Sequence, residues 1–173
     1  MNEAMKNLLT RRSVRKYKPE QITDEELRAV LEAGTYAPTA RGTQSPLIVA
    51  VQNAEDIALM SRLNAAVWGR ADFDPFFGAP TVVVFAQAGN VNGVQDASLV
   101  MGNLLNAAHA LGLGSCWINR AREVFEMPEG KALLKKWGVE GDWVGVGNCI
   151  LGYADGPEPK PAPRRPDYYR IIK

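Results

Sequence analysis

The chain has few of the residues that build metal centres or disulfide frameworks. Its 173 residues include two cysteines and one histidine. Cys116 and Cys149 have no other cysteine or histidine at the spacing of metal ligands, which argues against a metal site and against a disulfide framework. We expect both thiols to be reduced and Cys149 to lie in the core. His109 has no nucleophile in an elbow motif to assist, so we assign it no catalytic role.

Long apolar runs and an excess of one charge are also missing. No stretch approaches the roughly 20 apolar residues of a membrane-spanning helix, and residues 1–6 lack the apolar core of a signal peptide. We therefore expect a cytoplasmic protein without a membrane partner. With 20 Lys+Arg against 19 Asp+Glu, no overall field would attract nucleic acid. The G-x-G-x-x-G fingerprint of a Rossmann dinucleotide site is absent as well.

The length and the apolar content predict one domain over residues 1–173. Apolar periodicity predicts helices over about 3–9, 24–34, 54–67, 94–111 and 129–137, and strands over about 47–51, 81–86, 115–118 and 144–151. Thr23 and Glu26 form a capping box, and Gly34 is expected to end that helix. Five prolines in residues 157–166 predict an extended C-terminal arm over 156–173.

Positive charge is concentrated near the N-terminus. Five of the eight residues from Arg11 to Lys18 are basic. In Arg11-Arg12-Ser13-Val14-Arg15, guanidinium groups and a hydroxyl stand close enough to converge on one dianion, such as a phosphate monoester. A solvated basic surface is an open alternative. A nucleic-acid contact is a further one, which the neutral net charge and the lack of aromatics within the cluster disfavour.

Two loops are candidates for ligand contact. Residues 37–46 are rich in turn formers and small polar side chains, and they lead directly into a predicted strand. Residues 68–78 hold four aromatic side chains between glycine and proline. Those aromatics either form a lid that faces a substrate or pack over the sheet edge, and the sequence leaves both possibilities open.

Taken in order, these motifs resemble the FMN-dependent nitroreductase superfamily over nearly the whole chain. The resemblance rests on Arg-Arg-Ser-Val-Arg-Lys-Tyr, Ala-Pro-Thr-Ala-Arg-Gly-Thr-Gln, Gly-Leu-Gly-Ser-Cys-Trp-Ile, and Leu-Gly-Tyr before a proline-rich basic tail. It implies a three-layer α/β/α fold of the α+β class, with a mostly antiparallel central sheet flanked by helices. It also implies a homodimer that exchanges its C-terminal arms and holds two FMN sites at the subunit interface.

The resemblance further implies which residues contact FMN. Four from the basic segment would hold the phosphate and the flavin edge, with one from the tail closing over the phosphate: Arg11, Arg12, Ser13, Arg15 and Arg164. Five would reach the same flavin from the partner subunit: Pro38, Thr39, Ala40, Gly42 and Gln44. Three would line the isoalloxazine: Ser115, Cys116 and Trp117. Many relatives have Ser where Ala40 stands and Asn where Gly42 stands, so contacts there would come from backbone or water.

The implied activity is that of an FMN-dependent NAD(P)H oxidoreductase. NAD(P)H would deliver hydride to the flavin, and a nitroaromatic, a quinone or a related acceptor would then take the electrons in a ping-pong cycle. The flavin carries the chemistry, so no catalytic side chain is expected, and Arg12 is the candidate for stabilising the anionic reduced flavin. The alternative is a flavin-binding carrier or sensor without reductase turnover. The acceptor and the choice between NADH and NADPH are left open.

Overall fold

The computed structural model describes the backbone of residues 1–173 and the side chains of residues 1–80 and 85–173. Four strands form one sheet in the order β1-β2-β4-β3, and each neighbouring pair is antiparallel. The strands are β1 (Leu47–Val51), β2 (Thr81–Gln87), β3 (Gly114–Ile118) and β4 (Trp143–Gly152). The helices are α1 (Glu3–Thr10), α2 (Asp24–Thr35), α3 (Ala54–Trp68), α4 (Gly93–Ala110), α5 (Ala121–Glu126) and α6 (Pro128–Lys136).

Two apolar clusters on opposite faces of the sheet produce the three-layer arrangement. Because side chains alternate along a strand, Cys149 and Leu151 of β4 join the cluster beneath α2 and α4, whereas Ile150 joins the cluster beneath α3, α5 and α6. Full burial of each large side chain contributes roughly 1.5–3 kcal/mol. The fold is therefore the α+β arrangement that the family resemblance implies, and the expectation that Cys149 lies in the core is confirmed.

Helix α2 begins as predicted but does not end where predicted. The capping box is formed, with the Glu26 N–H donating to Thr23 Oγ1 and the Thr23 N–H donating to the Glu26 carboxylate at 2.9 Å. The prediction that Gly34 ends the helix was wrong, because the helix continues to Thr35. Glycine is required for packing instead, since a Cβ at Gly34 would lie 2.7 Å from Leu104 Cδ2 of α4.

Helix α4 crosses the middle of the fold and packs on α2 and on the sheet. Its buried side combines the small residues Gly93, Ala97 and Ala108 with the larger Met101 and Leu104. None of the helices in the part of the chain described has the length and apolar composition needed to cross a bilayer.

Helix α5 was missed by the sequence prediction. It has six residues and its N-cap makes no side-chain hydrogen bond, so neither length nor a cap signal marks it. Helix α6 follows after one residue and begins at Pro128, whose fixed φ suits the first helical position.

The tail, residues 156–173, is exposed throughout and forms neither helix nor strand. It leaves the body beside the basic segment, because the Lys18 N–H donates to the Tyr153 carbonyl at 2.9 Å and the Asp155 N–H donates to the Lys16 carbonyl at 3.0 Å. A hydrogen bond from Lys16 to Asp155 also holds the pKa of that carboxyl below its usual value. The start of the arm is thus fixed in one chain, and its exchange between subunits stays a prediction.

Candidate ligand-binding site

The basic segment Arg11–Arg15 is fixed between the end of α1, the edge strand β3 and the last turn of α4. The Val14 N–H donates to the Ser115 carbonyl at 3.0 Å. The Thr10 hydroxyl lies 2.8 Å from His109 Nε2. The lone histidine therefore joins two helix ends, which gives it a structural contact next to the candidate site.

Two buried guanidinium nitrogens in this segment have no hydrogen-bond partner among the described residues: Arg11 Nη1 and Arg12 Nε. The rest of Arg12 is partly engaged, since its Nη1 donates to the Leu9 carbonyl at 2.9 Å and to the Arg11 carbonyl at 2.7 Å. A buried polar group without a partner costs about 1–3 kcal/mol, and more when it is charged. An anion that accepts these N–H groups would relieve that cost.

Tyr17 contacts the same segment through a hydrogen bond. Its hydroxyl donates to the Val14 carbonyl at 2.8 Å. Burial raises the pKa of Tyr17 far above its ordinary value, so the hydroxyl stays protonated and remains a donor throughout the usual pH range.

A cavity of about 190 Å³ lies beside the basic segment and has aromatic and cationic walls. Its lining includes Arg15, Trp68, Phe73, Pro75, Phe77, Trp117, Asn119 and Arg120. The Trp117 indole lies directly on Gly147 of β4, where a Cβ would be 2.6 Å from the indole Nε1. That nitrogen is buried without a hydrogen-bond partner among the described residues. The cavity therefore brings together two residues predicted from the sequence, Arg15 and Trp117.

The aromatic segment 68–78 divides into one buried ring and three rings at a cavity wall. Phe76 is 1% exposed and belongs to the core. The other three rings form an edge-to-face series with centroid separations of 5.4 Å and line the cavity: Trp68, Phe73 and Phe77. One part of the segment is thus packing and the other is a cavity wall, and contact of that wall with a substrate stays a prediction.

The second predicted segment, residues 38–44, lies at the opposite end of α4. The Ala40 N–H donates to Asp96 Oδ1 at 3.0 Å, and Asp96 in the first turn of α4 is 4% exposed. Three loop residues have left-handed backbone: Arg41 (φ 57°), Gly42 (φ 66°) and Gln44 (φ 49°). Residues other than glycine adopt such backbone angles at an energetic cost, and strain of this kind concentrates at functional sites.

One chain holds its two predicted binding segments apart. The loop is attached to α4 at Asp96, and the basic segment is attached at His109. At the helical rise of 1.5 Å per residue these two positions are ~20 Å apart along the axis. The contacts of a single chain therefore do not unite the two segments around one small ligand.

Three other predicted residues are less well placed to contact a ligand with their side chains. Ser115 is 1% exposed, and its hydroxyl lies 3.5 Å from the Leu105 carbonyl. Cys116 is buried in the cluster beneath α5, so any ligand contact of this residue has to use its backbone. Arg164 lies in the exposed tail, and no hydrogen bond or ion pair found among the described residues joins it to Arg11 or Arg12.

Comparison with known proteins assigns the chain to a family. The sequence model of the Nitroreductase family matches residues 8–153. The chain belongs to the nitroreductase family.

Individual members of the family are similar over most of their length. A protein of Archaeoglobus fulgidus named "Putative NADH dehydrogenase/NAD(P)H nitroreductase" is 33% identical over 157 residues, which cover 88% of this chain and 86% of that protein. The NADPH-flavin oxidoreductase of Vibrio harveyi is 28% identical, with 93% of this chain and 70% of that protein covered. The crystal structure of a nitroreductase with bound FMN from Bacteroides fragilis has a TM-score of 0.91 at 27% identity and covers 100% of both chains.

Within this nitroreductase-family chain, the sequence prediction missed Asp96, Asn119 and Arg120. Asp96 resembles the acidic residues that are common in the first turn of a helix. Its position beside the buried face of α4 could have marked it as a candidate. Arg120 follows β3 with a φ of 74°. A left-handed conformation is most common for glycine, so an arginine at this position gives no indication of it in the sequence.

Proposed function

We propose that this chain is an FMN-dependent oxidoreductase that accepts hydride from NAD(P)H and reduces a nitroaromatic, a quinone or a related acceptor. Family membership and the names of the relatives support the reaction class, and the FMN of the Bacteroides fragilis structure supports the cofactor. The observation that carries the proposal is the pair of buried guanidinium nitrogens of Arg11 and Arg12 that lack a partner among the described residues. They belong to the same segment as Arg15, which lines a cavity together with Trp117.

The residues present fit the two ends of FMN. A phosphate monoester is a dianion with several acceptor oxygens, which matches donors that are cationic, buried and lacking acceptors within the chain. An isoalloxazine is flat and aromatic, which matches a cavity lined by Trp117 and by the rings of Trp68, Phe73 and Phe77. The Arg15 guanidinium in the cavity wall would lie at the edge of such a ring.

Bound FMN would supply hydride transfer, which no protein side chain provides. The chain's own residues would bind and orient. Arg11 and Arg12 would fix the phosphate, and Trp117 would line the ring. The aromatic wall would exclude water, which strengthens the electrostatic effect of Arg15. We assign no proton transfer to a side chain.

The ~20 Å between the two binding segments supports a site shared by two copies of the chain. We infer that Arg11–Arg15 of one copy and residues 38–44 of the other contact the same flavin, and that Arg164 reaches the phosphate when the arm is placed against a partner. Exposed apolar side chains are available for such an interface on α1, at Met5, Leu8 and Leu9, and near the end of the arm, at Ile171 and Ile172. In this proposal residues 1–173 form one domain whose arm contributes to the dimer.

An anaerobic titration tests the proposed function. Purified protein should be yellow or should become so with FMN, and NADH or NADPH should bleach the flavin absorbance stoichiometrically. Addition of a nitroaromatic or a quinone should then restore the oxidised spectrum. A yellow protein whose flavin does not bleach with either nucleotide would indicate the carrier or sensor alternative, and a protein that retains no flavin would overturn the proposal.

A further inference from the structure

Unpaired positive charge surrounds the aromatic cavity. Arg15 and Arg120 line it, and carboxylates are absent from that lining within the described part of the chain. Arg70 lies behind the wall, with its guanidinium carbon 5.3 Å from the centre of the Trp68 ring and 5.4 Å from that of Phe73. Among the residues with described side chains, none of these three arginines forms an ion pair. Their charges are therefore not neutralised by a neighbouring carboxylate.

Arg120 is the arginine most firmly held. Its Nε donates to Asn64 Oδ1 at 2.9 Å. Asn64 is fully buried and also donates to the Asn119 carbonyl at 2.8 Å, so one amide holds both residues. The guanidinium carbon of Arg120 lies 4.6 Å from the centre of the Trp68 ring, within the range of a cation–π contact.

This arrangement is maintained against a backbone preference. Arg120 has a φ of 74°, a conformation that disfavours side chains other than glycine. Strained residues persist where the surroundings over-determine them, and they cluster at functional sites. The bond to Asn64 and the contact with Trp68 are what hold the cation beside the cavity.

We propose that Arg120, held by Asn64 and Trp68, raises the reduction potential of flavin bound in this cavity. The inference rests on the proposed function. Hydride transfer breaks the C4–H bond of the reduced nicotinamide and forms an N5–H bond on the flavin, so two electrons and one proton move together. The donor becomes NAD(P)⁺, and the initially neutral flavin ring becomes an anion. A fixed cation therefore interacts more favourably with the reduced ring than with the oxidised one.

The structure favours Arg120 over Arg12 for this role. Arg12 was the candidate from sequence, but its Nη1 is engaged by two backbone carbonyls and it does not line the cavity. Arg120 does line the cavity, and its Nη groups make no hydrogen bond among those found in the described residues.

The test is the midpoint potential of protein-bound FMN at pH 7, measured by anaerobic equilibration with a reference dye. Arg120→Gly removes the charge at a backbone angle that glycine adopts freely, and this relief offsets the loss of the hydrogen bond to Asn64. Arg120→Gln removes the charge and keeps a polar chain, and Arg120→Lys keeps the charge. The matched control is Arg122→Gln, which removes an equal charge from an exposed side chain paired with Glu126.

In the Gly and Gln variants, we expect the dissociation constant of oxidised FMN divided by that of reduced FMN to fall about tenfold. This fall corresponds to a midpoint potential lower by about 30 mV. The Lys variant should recover most of that difference, and the Arg122 control should match the parent. Direct titration of the apoproteins with oxidised and with reduced FMN should give the same ratio. If the charge-removing variants bind FMN and keep the parent's potential, the role of Arg120 is refuted while the proposed function stands. If the parent itself binds no FMN, the proposed function fails first.

Discussion

The two ends of α4 present two different kinds of surface. At the C-terminal end, Val14 of the segment Arg11–Arg15 bonds to β3 and the preceding Thr10 contacts His109. The donors of Arg11 and Arg12 that lack a partner among the described residues are buried. At the N-terminal end, residues 38–44 are mostly exposed, and their backbone is strained. The attachment to Asp96 is the long-range hydrogen bond that holds this loop to the helix. One end is a rigid segment with buried cationic donors, and the other is an exposed loop with left-handed backbone.

In the proposed dimer, this difference would make one chain half of a site. The rigid end would supply positive charge and an aromatic cavity wall to a bound flavin. The loop would supply backbone N–H and C=O groups. Two copies related by a twofold axis would place each loop against the other copy's rigid end, because a twofold contact repeats in both directions. Variants that change one end at a time test whether both ends contribute to FMN binding.

Deletion of residues 157–173 should have the largest effect. The tail is exposed throughout, so the body should keep its cooperative unfolding. Loss of the arm should shift the protein toward monomer and weaken FMN binding on the order of 100-fold or more, since Arg164 and the shared interface are removed together. Sedimentation and FMN titration of the same sample measure both effects. A truncated protein that stays dimeric and binds FMN normally would contradict the role of the arm.

Arg11→Ala should weaken FMN binding by about 1.5–3 kcal/mol, the value of a hydrogen bond to a charged group. Its unfolding temperature should not fall, because the mutation removes a buried donor that lacks a partner in the chain. Arg12→Ala should weaken binding too, but it should also lower the unfolding temperature through the loss of the bonds to the Leu9 and Arg11 carbonyls. Calorimetric titration and thermal unfolding separate the two cases, and Arg122→Ala is the exposed control.

Asp96→Asn should have a smaller effect on the loop end. The amide still offers an oxygen to the Ala40 N–H, but without the charge the hydrogen bond is weaker, so we expect a loss of about 1–2 kcal/mol in FMN affinity. The rigid end should be unaffected, so the flavin that is bound should keep the parent's potential. Ser98→Ala on the exposed side of α4 is the control. Unchanged FMN affinity in Asp96→Asn would mean that the loop does not need this anchor.

Asp56→Asn should change stability without changing FMN binding. Hydrogen bonds from Lys136 at 2.6 Å and from Trp137 at 2.9 Å hold the pKa of Asp56 below its usual value. The stabilisation is therefore present above the ordinary pKa of an aspartate and is lost as the pH falls through the lowered folded value. Unfolding temperatures of parent and variant should differ near pH 7 and converge in strong acid. A constant difference at every pH would contradict this assignment.

Most of the fold could be predicted from the sequence because its signals are local. The capping box at Thr23 and the apolar run 47–51 each fix an element without reference to the rest of the chain. Gly34 was misread because a glycine near a helix end looks like a stop, and only the position of Leu104 shows that it serves packing. The wall formed by Asn119 and Arg120 could not be predicted, since it depends on the distant Asn64.

Mixing two defective chains tests the shared site most directly. Arg11→Ala damages the rigid end and Asp96→Asn damages the loop end, and FMN is held at a concentration well below the dissociation constant of either variant. If each site takes one end from each copy, a mixed dimer contains one site with both ends intact. Reassociation at equal amounts should then restore parent-like FMN binding at about a quarter of all sites. Recovery of no binding above that of the separate variants, in a sample shown to contain mixed dimers, would contradict the account.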